Sequence, residues 1–103
     1  MHEIYEVVKI LGSKDSKVIE KKFIKLSEEA GELAAAYLEE DGFKVRKVAK
    51  TDEELRDHIL EEGVDSIMVI MDILACKEFT YEQICNKMWD KLHEWKTNIE
   101  NKK

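Results

Sequence analysis

The chain predicts an all-α fold, a four-helix bundle. Three observations carry that prediction. Apolar residues recur at three- and four-residue intervals along four separate stretches. Proline is absent and glycine occurs only four times, too few for a β-protein full of turns. Charged residues make up 39% of the chain and apolar ones 44%, the balance of amphipathic helices.

The first predicted helix spans about residues 2–11, with Ile4, Val7, Val8 and Leu11 at helical spacing and Gly12-Ser13 as its stop. The second runs over about 15–40. Asp15 or Ser16 can cap its start, Asp41-Gly42 ends it, and Ile19, Phe23, Leu26, Ala30, Leu33 and Tyr37 form a stripe. A basic link over about 43–50 follows, carrying Lys44, Arg46, Lys47 and Lys50. Thr51 with Glu54 makes a capping box that opens the third helix, which extends to about residue 77. Thr80 with Gln83 repeats the device and opens the fourth, which extends to about residue 99. Its stripe is Ile84, Met88, Leu92 and Trp95. Trp89, Trp95 and Tyr37 lie at helical spacing and are expected in the core, with stacking on a base as the alternative.

The 103 residues make one domain, of a size that gains by pairing with a second copy. Seventeen basic and twenty-three acidic side chains give a formal charge of -6, which disfavours nucleic acid as a partner. Cys76 and Cys85 have neither a disulfide-framework nor a zinc spacing and read as core thiols of a reducing, cytoplasmic setting. The longest apolar run is interrupted by Asp72 and is too short to span a bilayer, so no membrane partner is expected.

Two acidic clusters stand out: Glu28-Glu29-Ala30-Gly31-Glu32 and Glu62-Gly63-Val64-Asp65. On a helix the first spans an arc of roughly 100°, away from the apolar stripe, as a solvated face would. Its neighbours Gly31, Ala34, Ala35 and Ala36 are small, however, and allow another helix to approach. The second cluster heads a run in which only Asp65 and Asp72 are charged between Gly63 and Cys76, so the third helix is expected to be buried. A lone buried Asp is usually met by a Lys, an Arg or backbone donors. Several acids on facing helices repel one another unless cations separate them. Oxygen-only ligands suit a hard ion, Mg²⁺ or Mn²⁺. Neither cluster has a His at i+3, which argues against a di-iron bundle; His2, His58 and His93 read as surface residues or as residues behind the ligands.

Glu-Glu-x-x-Glu followed at a distance by Glu-x-x-Asp resembles the all-α nucleotide pyrophosphohydrolase superfamily, most closely its MazG-like branch, over about residues 15–99. The resemblance implies an oligomeric helical bundle with Glu29, Glu32, Glu62 and Asp65 as metal ligands. It implies that Glu28 helps with a further metal or orients the attacking water, with Glu28 and Glu29 as the catalytic carboxylates. The reaction would convert a (d)NTP to the monophosphate and pyrophosphate with Mg²⁺, or Mn²⁺ in its place. Lys77, Lys87 and Lys91 are candidates to contact phosphates and Asp72 to contact the sugar or base. Lys25, one turn before Glu29, is equally a structural ion-pair partner. Self-association to a homodimer or a dimer of dimers would set the sites near subunit boundaries. The alternatives are a phosphoribosyl-ATP pyrophosphohydrolase, against which Ser66-Ile67-Met68-Val69 after Asp65 argues, and a non-catalytic acidic helical dimerisation module.

Overall fold

A computed structural model describes residues 1–15, 17–42 and 50–102. Those residues form four helices and no strand: α1 (His2–Lys14), α2 (Ile19–Glu40), α3 (Asp52–Cys76) and α4 (Tyr81–Asn101). The capping boxes open α3 and α4 as expected. In each, the threonine side chain accepts from the N3 amide, Glu54 or Gln83, whose own side chain accepts from the threonine amide. The basic link lies outside the described residues except for Lys50. Lys50 Nζ reaches Glu39 Oε1 at 2.8 Å and ties the start of α3 to the end of α2.

Two helix boundaries, the end of α1 and the start of α2, depart from expectation, while α3 ends as expected. α1 does not stop at Gly12 but continues to Lys14. Gly12 serves instead as a gap: a Cβ there would collide with the Asp72 carboxylate of α3. α2 begins at Ile19 with Val18 as its cap and no side-chain cap, because Asp15 Oδ1 is used in a turn, accepting from the Lys17 amide at 3.0 Å. The other expected cap, Ser16, lies outside the described residues. α3 ends in a Schellman-type turn. The Glu78 amide donates to the Ala75 carbonyl, the Phe79 amide donates to Leu74, and Glu78 takes the left-handed conformation (φ 65°) usually given to glycine.

α3 is the central element, with α2 and α1 packed against it. Lys22 meets Asp72 while Glu29 and Glu32 approach Glu62, so α2 and α3 run antiparallel. The packed face of α2 is Lys22, Leu26, Glu29, Leu33 and Ala36, all buried or half-buried. It is rotated by about one residue from the expected stripe, and Phe23 and Tyr37 are left exposed. Glu29 therefore lies on the packed side. The small residues explain why: Ala36 is fully buried and lets α3 come close.

The expectation that α3 is buried on most sides is corrected. Leu55, Ser66, Met71 and Ile73 are buried, but Val64, Ile67, Met68 and Ile70 are exposed, because α4 does not lie over them. The bundle is thus open within one chain. Tyr5, Val8 and Met71 form a small core to which Tyr81 and Ile84 add the first turn of α4, and the Tyr5 hydroxyl donates to the Phe79 carbonyl at 2.6 Å. Beyond that turn α4 buries nothing. The core placement expected for Trp89 and Trp95 is also corrected: they are 70% and 64% exposed. Among the described residues no helix is long and apolar enough to cross a membrane.

Candidate metal centre

The antiparallel α2–α3 pair brings Glu29, Glu32 and Glu62 together. One carboxylate oxygen of each lies within 4.8 Å of the others. Glu29 and Glu32 are one turn apart on α2, and Glu62 faces them from the middle of α3. Glu29 is 4% exposed, Glu62 is half-buried and Glu32 faces solvent. The group therefore has a buried floor and an open side.

Each oxygen of the floor can be accounted for. Glu29 Oε1 pairs with Lys25 Nζ at 2.8 Å, the structural pairing anticipated for Lys25. Glu62 Oε1 lies 3.3 Å from His58 Nε2. The second oxygen of each carboxylate, Glu29 Oε2 and Glu62 Oε2, is buried and has no hydrogen-bond partner. A buried carboxylate oxygen without a donor costs of the order of a few kcal/mol. Glu32 shows the same tension. Its carboxyl is held above the ordinary range first by the Glu62 carboxylate beside it, with which it would share a proton, then by the charge of Glu29 and by desolvation, with Lys25 opposing. Three carboxylates this close need a shared proton or a cation. Oxygen-only donors of this kind suit a hard divalent ion, and two orphaned oxygens on members of one cluster fit it.

Not every sequence candidate joins the group. Glu28 and Asp65 are exposed and stand outside it. Asp72 is met by a lysine: Lys22 Nζ sits 2.9 Å from Asp72 Oδ1 and also donates to Cys76 Sγ and the Gly12 carbonyl. Lys22 is only 4% exposed. Burial opposes its charge, yet the hydrogen bonds to Asp72 and Cys76 prevail and hold its pKa above the ordinary lysine range. Lys77 caps the far end of α3, about 20 Å along the helix axis from Glu62. Lys87 and Lys91 of α4 line a groove with Leu74 of α3 and Trp95 of α4, and Lys91 pairs with Glu94 at 3.6 Å.

Two residues, His58 beside the centre and Lys22 further along the α2–α3 contact, were underweighted by sequence. His58 reads as peripheral, but it holds Glu62 from one turn away, and its Nδ1 is buried without a partner. Its i, i+4 spacing to Glu62 was the available signal. Lys22 carries no motif; its signal is that 22, 26, 29, 33 and 36 share one face. Compared with protein-family models, curated proteins and solved structures, the chain matches none.

Proposed function

We propose that the chain is a divalent-metal-dependent nucleoside triphosphate pyrophosphohydrolase, converting a (d)NTP to the monophosphate and pyrophosphate. The observation that carries this reading is the pair of buried, donorless oxygens, Glu29 Oε2 and Glu62 Oε2, inside a three-carboxylate group. The resemblance of Glu28-Glu29-Ala30-Gly31-Glu32 and Glu62-Gly63-Val64-Asp65 to the MazG-like pattern supplies the reaction class.

Glu29, Glu32 and Glu62 would hold the ion, Mg²⁺ or Mn²⁺, with Asp65 one turn beyond Glu62 as an outer contributor. When bound, the ion supplies positive charge to a triphosphate that a chain of charge -6 would otherwise repel, and it lowers the pKa of water. Water oxygen attacks the α-phosphorus, the bond from that phosphorus to the bridging oxygen breaks, and pyrophosphate leaves. Glu28, exposed and next to Glu29 in the chain, would accept the proton. Lys25 and His58 fix one oxygen each of Glu29 and Glu62 and leave the other without a donor. Lys77, Lys87, Lys91 and Asp72 remain the candidates for substrate contact; in the single chain Asp72 is already paired with Lys22. The enzyme would work as a homodimer or dimer of dimers in the cytoplasm, a setting in keeping with free Cys76 and Cys85.

A second reading, a non-catalytic acidic dimerisation module, draws on the uncovered stripe of α4. One experiment separates the two. Canonical and modified (d)NTPs, with phosphoribosyl-ATP alongside, are incubated with Mg²⁺ or Mn²⁺ and scored for monophosphate and pyrophosphate. Turnover lost in Glu29→Gln and Glu62→Gln is the expected outcome. Release of single phosphate rejects the proposed bond cleavage. Turnover of phosphoribosyl-ATP alone reassigns the substrate. No turnover, together with a melting temperature that no divalent ion raises, leaves the dimerisation module.

A further inference from the structure

In the single chain, the lysines expected to contact phosphate stand away from the acidic group. Lys77 lies about 20 Å along α3 from Glu62, and Lys87 and Lys91 line a groove beside Leu74, about 18 Å along the same helix. Lys22 is buried and engaged with Asp72 and Cys76. Lys25 is placed differently. Its Nζ sits 2.8 Å from Glu29 Oε1, and among the described residues no other lysine or arginine pairs with Glu29, Glu32 or Glu62. The ammonium interacts with all three acids of the first motif, first with Glu29 through a hydrogen bond and charge, then with Glu28 and Glu32. An ammonium has three donors, and Glu29 takes one of them. The Lys25 side chain is 48% exposed and that of Glu29 only 5%, so the ammonium can be reached from solvent while its carboxylate anchor cannot.

We propose that Lys25 is the phosphate-contacting residue of the acidic centre: its ammonium holds Glu29 Oε1 with one donor and meets a phosphate oxygen of the triphosphate with another. The assignment rests on the pyrophosphohydrolase reading above and adds a residue to it. Charge calls for such a group. A divalent ion offsets two of the charges of Glu29, Glu32 and Glu62 and leaves a triphosphate facing uncompensated acid. A lysine suits the place, because it is a compact charge on a flexible stem and follows an anion without a fixed fork geometry. Ion and substrate then address different atoms of one pair. Glu29 Oε2 is buried without a donor and is left for the ion, while Lys25 takes Oε1. Lys25 and Glu29 are i and i+4 on α2, so one helical turn carries both a metal ligand and the cation that meets the substrate.

Calorimetric titration of the full chain tests it, first with Mn²⁺ alone and then, in saturating Mn²⁺, with α,β-methylene analogues of the common dNTPs, whose scissile bridge resists hydrolysis. Lys25→Gln keeps a donor for Glu29 and loses the charge. Its Mn²⁺ affinity should stay within about threefold of native, while its affinity for the analogue should fall by about 10-fold or more. Lys25→Arg should recover most of that loss. Equal analogue affinity in Lys25→Gln and the native chain overturns the proposal. So does a loss of Mn²⁺ affinity as large as the loss for the analogue, which would make Lys25 a prop for Glu29 and nothing more. A second readout needs no variant. Acylation of lysines in the native chain, followed by mass spectrometry, should slow at Lys25 with analogue and Mn²⁺ together and not with Mn²⁺ alone. A rate at Lys25 that the analogue leaves unchanged overturns the proposal. A native chain that binds neither Mn²⁺ nor any analogue overturns the proposed function and this assignment with it. A native chain that binds both, with Lys25→Gln binding both equally well, overturns the assignment of Lys25 alone.

Discussion

At the scale of single residues, the acidic group is defined by what its side chains lack. Glu29 and Glu62 each keep one oxygen engaged and one buried without a donor. Which acids gather was only partly legible in the sequence. The motifs singled out Glu29, Glu32 and Glu62 together with Glu28 and Asp65. Spacing alone does not reveal which side of α2 meets α3, and the last two fall on exposed positions. Glu32 gives the group a pH signature. Its pKa is raised from the ordinary 4.5, chiefly by hydrogen bonding with Glu62 and by the charge of Glu29. Below the ordinary value the carboxyl is protonated in both folded and unfolded chains. As pH rises through the higher folded value, the fold must hold a charge that the unfolded chain carries freely, and stability is lost. In chelator, the melting temperature should therefore fall as pH rises above the ordinary carboxyl value toward the raised one, and Glu32→Gln should flatten the fall. Circular-dichroism melts across that range check it, and an unchanged slope in the variant would remove Glu32 as the cause. His58 makes a separate prediction. Losing its Nε2 contact should weaken Mn²⁺ binding by about 10- to 100-fold in His58→Ala. His58→Gln, which can place an N–H near the same position, should recover most of that affinity in a calorimetric titration. Equal losses in both variants would mean that His58 acts only by filling space.

At the scale of elements, the starts of α3 and α4 were legible, while the start of α2 and the helix faces were not. Thr51 and Thr80 announce α3 and α4 because a capping box is local chemistry, complete within four residues. The end of α3 falls where expected, near residue 77, although Glu78 and not glycine stands in the left-handed position after it. The face of α2 was misjudged by one residue because two of its five packed positions are charged. Lys22 and Glu29 are buried with partners that only the tertiary fold supplies. Two glycines separate packing from propensity. Gly31 has nothing within 4 Å of where a Cβ would stand, so Gly31→Ala should stabilise α2 by about 0.5–1 kcal/mol. Gly12 is filled by the Asp72 carboxylate, itself pinned by buried Lys22, so Gly12→Ala should destabilise by about 2 kcal/mol despite its better helix propensity. Urea unfolding of the two variants gives opposite shifts of midpoint if this account is right. A stabilising Gly12→Ala would show that the Lys22–Asp72 pair contributes little to holding α1 on α3.

At the scale of the whole molecule, sequence predicted four helices but not that one chain leaves the bundle open. Periodicity shows that a helix has an apolar side; it is silent on whether that side is covered by the same chain or by another. α1 and α2 pack on α3, with a small core between α1, α3 and the first turn of α4, while Met88, Trp89, Leu92 and Trp95 of α4 and Val64, Ile67 and Ile70 of α3 remain exposed. If a second copy covers them, folding and association are one equilibrium, and stability depends on concentration. A hundredfold rise in protein concentration should then favour the folded dimer by about 2.7 kcal/mol. That corresponds to a melting temperature higher by several degrees for a domain of this size. The dependence should vanish in the Trp89→Glu, Leu92→Glu variant, whose α1–α3 core touches neither residue. Glu32→Gln should retain it in full, because the acidic group lies between α2 and α3 of one chain. Melts at several concentrations distinguish the cases. A melting temperature independent of concentration in the native chain would mean that α1, α2 and α3 hold the fold alone and that α4 is an appendage for another partner.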